Sequence, residues 1–337
     1  MRIAVDAMGG DHAPRQVVAG ALLSCREPGH EVVLVGRPEA IKACIEELGG
    51  PREGLQVVAA DDVIGMGELP AVACKRRNTS IAVAIQLLQA GDVQAVVSAG
   101  NSGAFMACAF VVLDTLPGIE RPAIAVCVPR PGGPGVLLDA GANADCKAHH
   151  LVQFAQMGRV YARDILGIGD PTVGLLSIGE EASKGTSLTK AAHHLLAELG
   201  GDIHFVGNVE PTRVFSPDAD VIVCDGFTGN VVLKTAEGTA TAVLEALRGS
   251  LTGSWQARLG AGLLRGALGR LAAVFDYATH GGALLLGVNG VCVVSHGRSD
   301  ARAIGSAIAV ARRSVEAAVT EHLTQACQSQ AVPVASA

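Results

Sequence analysis

Five short stretches of this chain bring glycines together with polar and charged residues at the tips of apolar runs. They are "DAMGGDH" (6–12), "SAGNSGA" (98–104), "LLDAGAN" (137–143), "SIGEEASKGTS" (177–187) and "DGFTGN" (225–230). Glycine lets main-chain N–H groups approach an anion, and the helix that follows such a loop adds partial positive charge. One loop of this kind is weak evidence; several at strand tips define a polar cleft built to hold an anion. The residues able to act there are Gly10, Asp11 and His12, then Asn101, Ser102 and Gly103, then Lys184, then Asp225, Thr228 and Asn230. His296, in "VVSHG", closes a later strand. His12 and His296 are candidate proton donors, and each also fits a structural place. Asp11 reads equally as an orienting partner for His12 and as the start of the helix that Pro14 announces.

The elements that must position these residues follow a simple alternation. Apolar, β-branched runs occur at 2–7, 31–36, 55–60, 93–100, 122–128, 172–179, 203–209, 220–226 and 290–297. Helical patterns lie between them, at 14–27, 38–49, 79–91, 149–166, 187–200 and along 229–275. Runs without polar alternation predict strands buried on both faces, so the order implies an α/β protein, an αβα sandwich with a mostly parallel sheet. Ligands in such sheets bind beyond the carboxyl ends of the strands, where the five loops fall. His149, His150, His193 and His194 lie on helical segments and are expected at the surface. The basic cluster "CKRRNTS" (74–80) is expected to be a solvated loop.

Composition narrows the function. With 337 residues, 49% hydrophobic and 17% charged, the chain has material for two lobes or one large domain, and the 3% of aromatics makes the core aliphatic. A net charge of −6 argues against a nucleic-acid partner. Nine cysteines without a C-x-x-C pair fit neither a zinc site nor a disulfide framework and suit a reducing, cytoplasmic setting. The N-terminus does not read as a signal peptide, no apolar window is long enough for a membrane span, and 328–337 reads as a disordered tail. The loops match no nucleotide, dinucleotide or nucleophile-elbow signature: Lys184 precedes Gly185, "MGGDHAP" lacks G-x-G-x-x-G, and Ala104 stands where G-x-S-x-G needs glycine. No metal site and no cofactor are expected.

Taken in order, "MRIAVDAMGGDHAP", "SAGNSGA", "RPAIA", "LLDAGAN", "GLLSIGEEASKGT", "FVGNVE", "VCDGFTGNVVLKTAEG" and "HGGALLLGVNG" resemble the phosphate acyltransferases of bacterial phospholipid synthesis. The resemblance runs from Met1 to about His322. Ser102, Ala140, Ala144 and His280 depart from the family's usual residues, His280 standing where tyrosine is usual. The resemblance implies a fold like that of phosphotransacetylase and isocitrate/isopropylmalate dehydrogenase. It further implies one unit over 1–327 of two intimately joined lobes, assembled as a homodimer. The implied reaction is direct transfer of a long-chain acyl group from acyl carrier protein to inorganic phosphate, giving an acyl phosphate. That product would pass to a membrane acyltransferase, so the enzyme is expected in the cytoplasm or at the inner face of the membrane.

This chemistry needs no activated serine, because phosphate is already an anionic nucleophile and a thiolate leaves readily. It needs a dianion held against a carbonyl and a donor for the oxyanion that forms. On the resemblance, Lys184 would neutralise phosphate or the oxyanion and Asn230 would donate to the tetrahedral intermediate. Gly10, Asn101, Ser102 and Gly103 would cradle phosphate, with Asp11, His12, Asp225, Thr228 and His296 as further substrate contacts. Two rivals stay open: a phosphotransacetylase-like enzyme acting on CoA thioesters, and a membrane-associated scaffold without catalysis.

A second feature lies at 246–275, where no acidic residue occurs but Arg248, Arg258, Arg265 and Arg270 do. Leu264, Leu268, Leu271 and Phe275 recur at helical spacing, and six glycines weaken the helix. Three occupants of this basic amphipathic stretch are open: a second copy of the chain, acidic carrier protein, and an anionic membrane surface.

Overall fold

The β-branched runs become strands because both of their faces can be buried, and glycine or proline ends them. The computed structural model describes residues 1–25, 30–50, 53–200, 203–266, 268 and 281–328. In chain order the elements begin with β1 (Arg2–Asp6), α1 (Arg15–Ser24), β2 (Glu31–Gly36), α2 (Pro38–Leu48), β3 (Leu55–Ala59), α3 (Pro70–Ala73), α4 (Ser80–Gln89), β4 (Ala95–Ser98) and α5 (Ser102–Leu113). There follow β5 (Ala123–Val128), β6 (Gly135–Leu138), α6 (Ala148–Asp164), β7 (Thr172–Leu176), α7 (Ser187–Glu198), β8 (His204–Val209), β9 (Val221–Val223) and α8 (Gly226–Thr252). The chain continues with α9 (Trp255–Leu263), β10 (Ala283–Leu286), β11 (Val291–Val294), α10 (Ala301–Glu316) and α11 (Val319–Gln328).

Eleven strands form one sheet in the order β3-β2-β1-β4-β11-β10-β5-β6-β9-β7-β8. β3, β2, β1, β4 and β11 are parallel, with Val5 opposite Leu34 and Val97, and Val97 opposite Val293. β6, β9, β7 and β8 are parallel as well, with Leu137 opposite Ile222 and Ile222 opposite Gly174. Between the two sets, β10 runs antiparallel to β11 and β5, and β5 runs antiparallel to β6. The sheet therefore consists of two parallel halves of opposite direction. From β4 to β9 there are five strand steps, and the usual twist accumulates to roughly 100° over them. That rotation turns the carboxyl ends of the two halves toward a common cleft rather than leaving them on opposite edges.

Helices cover both faces: α1 packs on α10, α6 on α7 and α11, and α4 on α5. The core is aliphatic; Tyr161, Phe105 and Phe154 are its largest fully buried side chains. Each expected strand is present, β2 with the expected bounds and the others shorter by one to four residues. β10, α5, α10 and α11 were not expected as elements. β10 is four residues between glycines, and α5 is apolar around its whole circumference, so neither shows a period. Most of α8 stands apart: of its 27 residues only Gly226 and Gly229 are buried. A helix of that length spans about 40 Å, and α9 folds back on it. Arg270, Leu271, Phe275, His280 and residues 329–337 lie outside the described residues.

Candidate active site

The first half-sheet builds its loops around a buried carboxylate. Asp6, the last residue of β1, accepts from the Met8 N–H (3.1 Å) and from Ser98 Oγ (2.7 Å), and the Gly9 N–H and Ser80 also face it. Ser98 Oγ in turn accepts from the Gly100 N–H (3.0 Å), which locks the loop after β4 to the loop after β1. Burial raises the Asp6 pKa, while these donors oppose the shift. Gly10 adopts φ 103°, and a Cβ there would lie 3.0 Å from the Gly297 carbonyl. The Asp11 N–H donates to that same carbonyl (2.7 Å), so the tips of β1, β4 and β11 meet.

The second half-sheet repeats the device more strictly. Asp139, directly after β6, is fully buried. Its Oδ1 accepts from the N–H groups of Ile124 (3.0 Å), Gly141 (3.0 Å) and Ala142 (2.9 Å). Its Oδ2 accepts from the Asn143 N–H (2.7 Å) and Asn143 Nδ2 (2.9 Å). Burial pushes its pKa up, but all five partners are N–H donors, and a ring of donors favours the carboxylate. Asn143 is itself fixed by donation to the Pro122 carbonyl (2.7 Å). The start of α8 lies directly on this turn: the Gly226 N–H donates to the Asn143 carbonyl (2.7 Å), and a Cβ at Gly229 would overlap the Asp139 carbonyl. These contacts explain why "DGFTGN" needs both of its glycines.

The expected site residues fall on this frame in two groups. Gly10, Asp11, Asn101, Ser102, Gly103 and His296 gather at the tips of β1, β4 and β11. Asp225, Thr228 and Asn230 sit at the cap and first turns of α8, directly after β9, and Lys184 sits on the loop after the adjacent strand β7. The first turns of α8 join the groups. Leu233 and Ala142 pack against the core that contains Ala104, Phe105 and Val294. Lys234 and Glu237, themselves paired at 2.8 Å, act electrostatically on His296. Burial, then Lys234, holds the His296 pKa below its ordinary value, so its imidazole is neutral at pH 7.

Several side chains have other work. Asn101 caps α5 by accepting from the Ala104 N–H (3.0 Å), and its Nδ2 donates to the carbonyls of Gly65, Met66 and Glu68 (3.3, 3.0 and 3.0 Å). Its amide is therefore occupied by protein, and the donors left at the start of α5 are main-chain. Among the described residues, no protein acceptor takes the N–H groups of Ser102 and Gly103. Asp225 caps α8 by accepting from the Thr228 N–H (2.8 Å) and Thr228 Oγ1 (2.7 Å), so this pair is mutually satisfied. Asp11 does not cap α1, whose N-cap is Pro14 without a side-chain bond. Asp11 and His12 are exposed, with no hydrogen bond between them.

Lys184 stands on a loop pinned from inside. Buried Ser177 donates to the Lys184 carbonyl (3.3 Å), and buried Asn208 donates through Nδ2 to the Glu181 carbonyl (2.9 Å). Asn208 Oδ1 faces His193 Nδ1 (2.9 Å), so that nitrogen carries the proton. The Lys184 stem lies over Gly179, and among the described residues its ammonium has no ion-pair partner. Asn230 is exposed and lies over Gly141. Sequence reasoning missed Asp139, Asp6, Ser177 and Asn208 as organisers of the site.

Three surface expectations need correction. His150 is only 5% exposed, because its Nδ1 accepts from the Lys147 N–H (3.1 Å) and its Nε2 meets Glu120 (3.2 Å). His193 is half-buried against Phe205 and Asn208; His194 is exposed as expected. The 74–80 cluster is not merely solvated: Arg76 pairs with Asp62 and Glu68, and Thr79 caps α4. Glu120, His149 and His150 are close enough for a shared metal ion, with ligand atoms within 4.8 Å. However, the Lys147 bond puts the His150 proton on Nε2, so the trio works as a hydrogen-bonded lock on the start of α6. Arg258 lies on α9, donates to the Thr252 carbonyl (3.1 Å) and, with Arg248, edges a leucine-lined cavity of about 330 Å³. Arg265 is exposed further along. From Asn230 to Arg248 the rise of α8 is about 27 Å, so these arginines lie far from the cleft.

The fold is shared with phosphotransacetylases. A phosphotransacetylase from Streptococcus pyogenes superposes with a TM-score of 0.65 at 18% identity, covering 94% of each chain. The EutD phosphotransacetylase from Staphylococcus aureus gives 0.60 at 16%, covering 98% of this chain and 94% of that one. Within that fold the sequence is more specific. Residues 1–322 match the family model "Fatty acid synthesis protein". The phosphate acyltransferase of Pelotomaculum thermopropionicum is 48% identical over 332 residues, covering 98% of this chain and 96% of that protein. That of Thermosynechococcus vestitus is also 48% identical, over 99% of this chain and 97% of its own. The chain belongs to the phosphate acyltransferase family and is an acyltransferase. No described helix is long and apolar enough to cross a membrane.

Proposed function

We propose that this enzyme transfers a long-chain acyl group from acyl carrier protein to inorganic phosphate, supplying acyl phosphate for phospholipid synthesis. The observation that carries the reading is which donors the cleft leaves uncommitted. The buried carboxylates take the N–H groups of Met8 and of 141–143, while among the described residues Ser102 N–H, Gly103 N–H and the Lys184 ammonium have no protein acceptor. Those are the groups that suit a dianion and a developing oxyanion. A phosphate oxygen attacks the thioester carbonyl and forms the C–O bond, and the carbonyl electron pair moves onto oxygen. Lys184 and Asn230 stabilise that oxyanion. Its collapse breaks the C–S bond and releases the thiolate, which takes a proton from water or from the medium. No covalent acyl-enzyme is required. Gly10 and Gly103 let the backbone close on phosphate, with Asp11, His12 and His296 at its edge.

The carrier-protein donor, rather than CoA, is supported by the sequence resemblance and by the α8–α9 hairpin, where residues 246–265 carry Arg248, Arg258 and Arg265 and no acidic residue. The exposure of almost all of α8, with Val243, Leu259, Leu263 and Leu264 open to solvent, supports a homodimer formed through this hairpin. The same apolar face favours transient association of a cytoplasmic enzyme with the membrane, where a membrane acyltransferase would take the product. The two half-sheets correspond to the two joined lobes. The test is thiol release from palmitoyl-acyl carrier protein with and without phosphate, trapping product with hydroxylamine. Phosphate-dependent release with a trappable product is expected. Equal release without phosphate, or release from palmitoyl-CoA alone, overturns this reading.

A further inference from the structure

Segment 64–73 lies as a strap against the loops after β4 and β11, with apolar side chains left open to solvent. Its ends are anchored, since Ile64 and Ala73 are buried. Between them Met66, Leu69 and Val72 are 47%, 72% and 59% exposed. Three large apolar side chains open within ten residues need an explanation, which a single exposed leucine does not.

The strap is held rigidly. Asn101 Nδ2 takes the carbonyls of Gly65, Met66 and Glu68, Glu68 Oε1 accepts from the Gly65 N–H (2.7 Å), and Arg76 bridges Glu68 (2.6 Å) to both oxygens of Asp62 (3.0 Å). The apolar surface is thus presented in a fixed shape, with little ordering cost on binding.

Its place is equally specific. Pro70 Cγ is 2.7 Å from where a Cβ on Gly103 would be, and Met66 Cε is 2.8 Å from the same point on Gly297. The strap therefore touches the two glycines that border the uncommitted N–H groups of α5 and the Asp11 contact. Phosphate held at those N–H groups puts the carbonyl carbon it attacks beside them, and the strap is the open apolar surface that touches their loops.

We propose that Met66, Leu69 and Val72 form the first apolar track for the acyl chain, and that Leu69 and Val72 set the dependence of binding on chain length. This rests on the acyl-transfer reading and adds to it the part of the protein that recognises the chain. Each buried methylene strengthens binding by roughly fourfold when fully covered.

The experiment compares wild type with Leu69→Ser/Val72→Ser, two exposed positions whose exchange should leave the melting temperature unchanged. The probes are S-alkyl pantetheine thioethers from butyl to hexadecyl, measured by equilibrium binding and so independent of turnover. In wild type, affinity should rise two- to fourfold per methylene over the early part of the series. In the double variant, long chains should lose tenfold or more while butyl binding stays within twofold. An identical length dependence in both proteins, or equal losses for butyl and hexadecyl, overturns the proposal. A change in oligomeric state by sedimentation, with the length dependence unchanged, also overturns it and makes the strap an interface between copies. Failure of wild type to release thiol from any donor would refute acyl transfer, while the binding series would still decide the track.

Discussion

Exchange of Asp139 for asparagine removes one negative charge and almost no volume, and the structure says how much that should cost. Three N–H donors face Oδ1 and two face Oδ2. An asparagine has one carbonyl oxygen, so whichever way it turns, at least two buried donors confront an NH2 group. Each lost hydrogen bond to a charged acceptor is worth about 1.5–3 kcal/mol. Relief of the buried charge offsets part of this, because burial raises the Asp139 pKa and so opposes ionisation. The net loss should be about 2–4 kcal/mol, the range typical for a broken buried network. Urea unfolding read by circular dichroism measures it as a lower midpoint at constant m. Activity should fall by more than stability accounts for, since Gly226, Gly229 and Asn230 all rest on the 139–143 turn. A midpoint within about 0.5 kcal/mol of wild type would refute the reasoning. It would mean that the five N–H groups do not need an anion.

Other expectations follow from the same contacts. Lys184→Ala should lower phosphate-dependent thiol release by on the order of 10²–10³ while leaving stability within about 0.5 kcal/mol, because the side chain is exposed and its ammonium has no ion-pair partner among the described residues; full turnover in a folded variant would remove its catalytic role. Asn208→Leu should reduce kcat more than it raises KM for the acyl donor, since it frees the Glu181 carbonyl and lets the Lys184 loop move without touching substrate; an unchanged kcat in the folded variant would refute this. His150 supplies a pH test. Burial holds its pKa below 6.5, against the pull of Glu120, and its Nδ1 must stay unprotonated to accept from Lys147. As pH falls, the unfolded chain takes this proton before the folded one. The stability contribution is therefore complete above about 6.5 and declines as pH falls toward the folded value, by at most about 1.4 kcal/mol per pH unit. His150→Gln should flatten that decline in pH-dependent melting, and an unchanged slope would clear His150 of the effect.

What could be read from the sequence divides along a physical line. Strands such as β2 and β4 were legible because their burial pattern is local, and the glycine loops were legible because each is contiguous. The reversal of the sheet was not, since β10 and β5 make antiparallel pairs that join residues about 160 positions apart, such as Leu284 and Ala125. Asn101 shows the same limit within the site. Its type and place fit a ligand donor, yet carbonyls 33 to 36 positions earlier in the chain occupy its amide.

The two aspartates show why charge alone misleads here. A carboxylate at a strand tip reads as hostile to a phosphate, and Asp6 and Asp139 would be so if they faced it. Instead each is buried and turns the N–H groups of its own loop inward. Among the described residues, the N–H groups of Ser102 and Gly103 at the start of α5 are among those left without a protein acceptor, with Lys184 on the loop after β7. A protein with a net charge of −6 can in this way still offer a local positive site. On the proposed reading, the buried acids hold donors of their own loops, and phosphate meets N–H groups and the Lys184 ammonium rather than a carboxylate.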